Sequence, residues 1–367
     1  MTARRARRWG VVCVLLAWLL SGCWDNQAIN RRALVLLIGV APYRSQEVTV
    51  WFQIPTPQGL TTLTTPSGSG PTFLVLRGHG PTLAAAFAEA QSQINQDLYL
   101  GQTQAVILSA ALSPTQWGQV LNSLERIGTL DKSAWVLVTQ RPLDAVFRSH
   151  PPTAPLPGLY FETLFGCAAC QTVALHRTLW GVEKRWHTPS VDEWLPLLSI
   201  QPDGWRVDQV VLYQGGRPKW RLDPGQTLTL GYLLGRTQKG WLVVRGRWGL
   251  AGLRALQAWP QWTTSVQGDR AEVHIALKVQ GRLATFPIGA FTPAVARQVR
   301  TSAAELLARS VDQLLARLQS MDIDPVGFGL GWVWAHPQDA AEWPRLWRHA
   351  QVTVTVHLQI VETGGTR

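Results

Sequence analysis

Strict alternation of apolar and polar positions marks residues 272–279, where Val273, Ile275, Leu277 and Val279 fall on one face, and the same period returns with Val352, Val354, Val356, Leu358 and Ile360. Side chains that alternate sides along a strand make both runs half-buried strands. Between them Thr292-Pro293 supplies an N-cap and a first-turn proline to the longest expected helix, about residues 294–321. Val295, Val299, Leu306, Leu307, Leu314, Leu315 and Leu318 form its apolar stripe, and Arg297, Arg300, Arg309, Asp312 and Arg317 its wet side. A long helix laid across such strands buries both apolar faces.

Earlier in the chain, β-rich runs at 33–40 and 48–54 flank the turn-prone Pro42-Tyr43-Arg44-Ser45 and predict a hairpin. Residues 61–71, poor in apolar side chains, read as a loop before a strand at 72–76. A helix follows Gly80, with Pro81 in its first turn and Leu83, Ala86, Phe87, Ala90 and Ile94 on one face. A strand at 104–109, a helix at 115–127 and a strand at 133–139 continue a mixed α/β layer. Pro151, Pro152, Pro155 and Pro157 stiffen the connector to helical stretches at 158–164 and 171–184 and a short helix at 191–198. From 207 to 247 short β-rich runs surround Gly215-Gly216. The expected class is α+β in three domains: a mixed N-terminal domain (23–190), a small β-rich middle domain (191–248), and a C-terminal domain (249–367) with the long helix on an antiparallel-type sheet.

The first 22 residues read as an export leader: Arg4, Arg5, Arg7 and Arg8 precede an apolar run at 9–20, shorter than the ~20 residues a spanning helix needs. Leu20-Ser21-Gly22-Cys23 resembles the lipobox of bacterial lipoproteins. That predicts cleavage between Gly22 and Cys23 and a diacylglyceryl group on the Cys23 thiol, whose two chains hold a membrane stably where one does not. No later apolar run reaches bilayer length, so the rest of the chain is expected outside the bilayer.

Removing the four leader arginines from the formal +11 leaves about +7, spread without a long basic run, which argues against nucleic acid as a partner. Cys167-Ala-Ala-Cys170 has no second cysteine pair, so a zinc site is poorly supported, and two plain or oxidised thiols are expected; no metal or cofactor is assigned. Gly327-x-Gly329-x-Gly331 lacks the strand, helix and Lys-Ser/Thr of a phosphate cradle and reads as a tight turn. No catalytic constellation stands out. Trp332, Trp334, Trp343 and Trp347 cluster after that turn, as core or as a partner-binding surface.

Several of these segments together resemble the Ger(x)C family, the lipoprotein C subunits of nutrient germinant receptors. They are Cys23-Trp24-Asp25 and the apolar run after it, the Gly80-Pro81-Thr82-Leu83 helix start, Leu98-Tyr99-Leu100-Gly101, Pro157-Gly158-Leu159-Tyr160, Thr188-Pro189-Ser190, and Asp324-Pro325-Val326-Gly327-Phe328-Gly329. Asn26, Gln27 and Gln102 stand where the family usually has other residues, and the Cys-Ala-Ala-Cys segment and the abundance of tryptophan are unlike typical members. The resemblance implies a non-enzymatic receptor subunit without cofactor, lipid-anchored on the outer face of the spore inner membrane, assembled with two integral membrane subunits, A and B. It makes Trp24, Asp25, Tyr99, Gly101, Thr188, Pro189, Ser190, Gly327, Phe328 and Gly329 the motif residues of structure or interface. Direct small-molecule binding is not expected on this reading. The rivals are a solute-binding lipoprotein, which ordinarily shows two similar α/β lobes, and an exported enzyme, which requires a catalytic constellation.

Overall fold

The computed structural model describes residues 31–44, 46–56, 71–151, 153–167, 174–236, 240–286 and 292–362. The loop expected at 61–71 lies outside them except for Pro71. The first part of the chain forms β1 (Arg32–Leu34), β2 (Leu37–Pro42), β3 (Val48–Pro55), β4 (Phe73–Gly80), α1 (Leu83–Gln91), β5 (Asp97–Tyr99), β6 (Ala105–Ser109), α2 (Pro114–Arg126), β7 (Trp135–Thr139), α3 (Leu143–Arg148), α4 (Pro157–Gly166), α5 (Leu179–Trp186), β8 (Glu193–Gln201), β9 (Gly204–Gln214) and β10 (Arg217–Leu222). Eight of these strands make one sheet in the order β10-β9-β8-β7-β6-β2-β3-β4. β2, β6, β7 and β8 run parallel at its centre, and antiparallel pairings complete it on both sides.

The central strands are apolar on both faces because helices cover both. Val106, Leu108, Val136 and Val138 face one core with Leu83, Trp117 and Leu179 from α1, α2 and α5. Ile107 and Leu137 face the other with Val146 and Phe161 from α3 and α4. β1 stands apart, pairing in parallel with β5, so the run expected at 33–40 is broken at Val35-Leu36. Thr82 caps α1, which puts Pro81 before the helix, and the helix expected at 171–184 begins at Leu179 under a Thr178 cap.

Residues 191–198 correct a second expectation: they enter strand β8, not a helix. Trp194, Leu195, Leu197 and Leu198 are all buried, in three different cores. A strand buried on both faces has no period to distinguish it from a helix. Nor does 191–248 stand as a β-rich unit of its own. β8 to β10 finish the first sheet, because β8 pairs with β7, whereas α6 (Pro224–Leu233) and β11 (Gly240–Gly246) share the core of the second sheet.

That second sheet is β11-β12-β13-β14, with β12 (Gly249–Gln267), β13 (Arg270–Thr285) and β14 (Gln351–Glu362). Its first three strands are antiparallel as expected, but β14 runs parallel to β13. The intervening helix α7 (Pro293–Ser320) carries the chain back along the sheet before β14 starts, which is the connection a parallel pair requires. Thr292 caps α7 by accepting from the Val295 N–H at 3.3 Å. Its buried stripe includes Ala303 and Val311, with Val295 and Leu306 half-buried at the edge. α8 (Leu330–Ala335), a 3-10 turn (Pro337–Glu342) and α9 (Trp343–Arg348) fill the return.

Candidate functional site

Two of the motif segments meet where the two sheets join. Behind α5, Ser190 holds a left-handed φ of 61° and its Oγ donates to the Ala340 carbonyl at 2.8 Å, while the Thr188 hydroxyl donates to Lys184 O at 2.7 Å and closes the helix end. Behind α7, the chain turns sharply around Asp324. Its Oδ1 accepts from the Gly327 N–H at 2.7 Å, and its Oδ2 accepts from the Gly329 N–H at 3.2 Å and the Trp343 Nε1–H at 3.0 Å. Gly327 sits at φ 88°, a conformation side chains disfavour, and a Cβ on Gly329 would lie 2.1 Å from the Trp343 ring. Phe328 is buried, stacked on Trp347 at 5.3 Å and edge-on to Trp262 at 5.5 Å, and its carbonyl accepts from Thr264. The glycines are therefore a tight turn, wrapped around a carboxylate.

The two segments clasp each other through their backbones. The Asp192 N–H donates to Asp324 O at 3.0 Å, and the Asp324 N–H donates to Asp192 Oδ2 at 2.8 Å. Arg185 Nη2 reaches both sides, donating to Asp192 O at 2.7 Å and Pro325 O at 2.6 Å. Behind it Glu193 Oε1 lies 3.7 Å from Arg185 Nε and 2.9 Å from Arg177 Nε, and the Arg177 guanidinium lies over the Trp194 ring at 3.8 Å. Burial governs the electrostatics. It pushes Asp192 up to about 6, raises Glu193 and Asp324, draws Arg177 down to about 9 and lowers Arg185. Two guanidiniums around one Glu193 carboxylate oppose that drift towards neutrality. A cavity of about 310 Å³ opens beside the clasp, lined by Pro189, Ser190, Asp192, Asp324, Trp343 and Trp347.

Among the expected site residues, Thr188, Pro189, Ser190, Gly327, Phe328 and Gly329 are thus brought together. Tyr99 and Gly101 are elsewhere, at the β1–β5 pair: Arg32 lies over the Tyr99 ring at 4.6 Å, and a Cβ on Gly101 would meet the Tyr99 hydroxyl at 2.5 Å. Gly22, Cys23, Trp24 and Asp25 lie outside the described residues. Of the tryptophan cluster, Trp343 and Trp347 are buried, Trp332 half-buried and Trp334 exposed. Cys167 is disulfide-bonded; Cys170 lies outside the described residues. Arg177, Arg185, Asp192 and Glu193 were not legible as a site, because Arg185 and Pro325 are 140 positions apart. Asp324 was visible only as the first residue of its motif.

A larger open cleft of about 960 Å³ lies between β10, α6, α7 and β11, with Trp220, Tyr232 and Trp241 in its walls and Asp208, Asp223 and Arg317 around them. No described helix is long and apolar enough to cross a membrane. Among the described residues no group of three or more His, Cys, Asp or Glu is arranged to hold a metal ion. The clasp presents no paired nucleophile and base; what it does chemically is lock two segments together.

Comparison with known proteins gives two family matches. Residues 25–200 match the model described as the spore germination protein N-terminal domain, and residues 210–364 match the one described as spore germination B3/GerAC-like, C-terminal. Among solved structures, the crystal structure of the GerBC protein superposes with a TM-score of 0.58 at 14% identity, over 88% of this chain and 96% of that one, a likeness of fold. No curated protein matches.

Proposed function

Because the chain belongs to the GerAC-like family of spore germination proteins, we propose that it is the C subunit of a nutrient germinant receptor. In this reading it is a non-enzymatic lipoprotein, held by a diacylglyceryl group on Cys23 to the outer face of the spore inner membrane and docked to the integral membrane A and B subunits. The observation that carries the reading is the clasp. The motif segments around Ser190 and Asp324 serve to hold one sheet against the other through hydrogen-bonded groups, as a rigid docking subunit requires. The leader and Cys23 support the anchor by their sequence alone. Cys23→Ala tests it: the variant should leave the spore membrane fraction and slow nutrient germination, with the A and B subunits still present. A variant that stays membrane-bound and germinates normally would refute the anchor.

A second reading, direct nutrient capture, is favoured by the aromatic cleft between Asp223 and Arg317. Calorimetric titration of the leaderless protein with germinant nutrients separates the two. Heat of binding that disappears in Trp220→Ala would favour capture, and its absence favours the docking subunit.

A further inference from the structure

The outward side of the second sheet is polarised along its length. From Pro224 to Ala304 the only acidic residues are Asp269 and Glu272, against Arg236, Lys239, Arg245, Arg247, Arg254, Arg270, Lys278, Arg282, Arg297 and Arg300. Both acids sit at the turn joining β12 to β13, where Asp269 is engaged by Arg345 at 2.7 Å and Glu272 lies 3.8 Å from His274. The opposite end of β12, at the β11–β12 turn, is separated from them by 19 residues of strand, roughly 50–60 Å. There Arg245, Arg247 and Arg254 are all exposed, and their side chains have neither an ion pair nor a hydrogen bond among the described residues. Arg282, whose register partner on β14 is Glu362, is not counted with them.

The same end carries apolar side chains that face water. Trp241 is 56% exposed, Val243 49% and Leu250 48%, and Leu250 is the register partner of Arg245. α7 also starts at this end, since it follows β13 and returns along the sheet, and its first exposed charges after Pro293 are Arg297 and Arg300. Acids near this end are Glu362, at the register position beside Arg282, itself the register partner of Arg254, and Asp208 and Asp223, on the cleft whose wall includes Trp241. Arginines in excess of acids, interleaved with Trp, Val and Leu on an exposed strand pair, match what an anionic bilayer offers: phosphate charge outside and an apolar boundary a few ångströms in.

We propose that the β11–β12 end of the second sheet is a lipid-headgroup contact that rests on anionic membrane through Arg245, Arg247 and Arg254, with Trp241 and Leu250 entering the interface. The contact is a property of the protein surface and stands apart from the receptor reading and from any anchor. A chain from Trp24 to Arg367 tests it, because that chain contains every described residue and lacks Cys23. It is sedimented with vesicles of phosphatidylcholine alone or with about a third phosphatidylglycerol, at low and high salt. Binding to the anionic vesicles only, weakening as salt rises, is expected. Arg245→Glu/Arg247→Glu/Arg254→Glu should reduce it by about a hundredfold or more, while melting by circular dichroism like the parent. Arg126→Glu/Arg148→Glu/Arg206→Glu, on the first sheet's unit, should bind as the parent does. No binding to anionic vesicles, or equal loss in both triple variants, would overturn the proposal; the first outcome would leave the patch as a surface for an acidic protein.

Discussion

Asp324 has its acceptors filled by groups that have no other partner in the turn, so its removal should be felt well beyond one hydrogen bond. Asp324→Ala leaves the Gly327 and Gly329 N–H groups and Trp343 Nε1 facing an empty site. It should destabilise the protein by about 3 kcal/mol or more, read as a lower urea midpoint, whereas Asp324→Asn, which keeps one acceptor, should cost less. Asp192 supplies a pH-dependent counterpart. Burial raises its folded-state value to about 6 from the usual 3.8, so the protonated form suits the folded state. The stability linked to it is full below 3.8 and is lost as pH rises through about 6. Between about pH 7 and pH 4 the parent should therefore gain stability relative to Asp192→Asn, which cannot titrate; parallel unfolding curves across that range would refute the assignment. At this scale the sequence revealed the glycines, since tight turns and close approaches leave few alternatives to Gly. It hid the ion cluster, because neither Arg177 nor Glu193 carries any local sign of the other.

For single elements, legibility followed how many faces are buried. β13 and β14 bury one face each and their alternation read correctly, and so did α7 with its Thr292 cap. β8 buries both faces, loses its period and read as a helix. Strand direction was equally hidden, since a parallel and an antiparallel strand share one alternation, and only the return of α7 decides that β14 runs with β13. The α7 cap gives a measurable value: Thr292→Ala should cost about 1 kcal/mol, a small drop in melting temperature, while Thr292→Ser should be close to neutral. A Thr292→Ala variant that melts like the parent would mean that tertiary packing alone holds the first turn of α7.

Two large sheets and the small β1–β5 pair organise the described residues, and the strands of the middle domain expected at 191–248 divide between the large sheets because β8 to β10 pair backwards with β7. Arg185 belongs to α5 and touches Pro325 beyond α7, so it ties the units directly. Arg185→Met should leave Glu193 with less positive charge and two carbonyls without a donor, at a cost of about 3 kcal/mol. Calorimetry should then show the units melting in two steps where the parent melts in one; a single transition at the parent's temperature would show that the contact contributes nothing to coupling.

The parallel pairing of β14 with β13 also sets an order of events. Gln280 and Gln359 bond across neighbouring strands although 79 positions separate them. The ladder beside Val273, Ile275 and Leu277 thus stays open until Val352, Val354 and Val356 have been synthesised. Any chain stopped short of residue 351 would carry a bare apolar edge ready to pair with another copy, so β14 is itself the safeguard against aggregation.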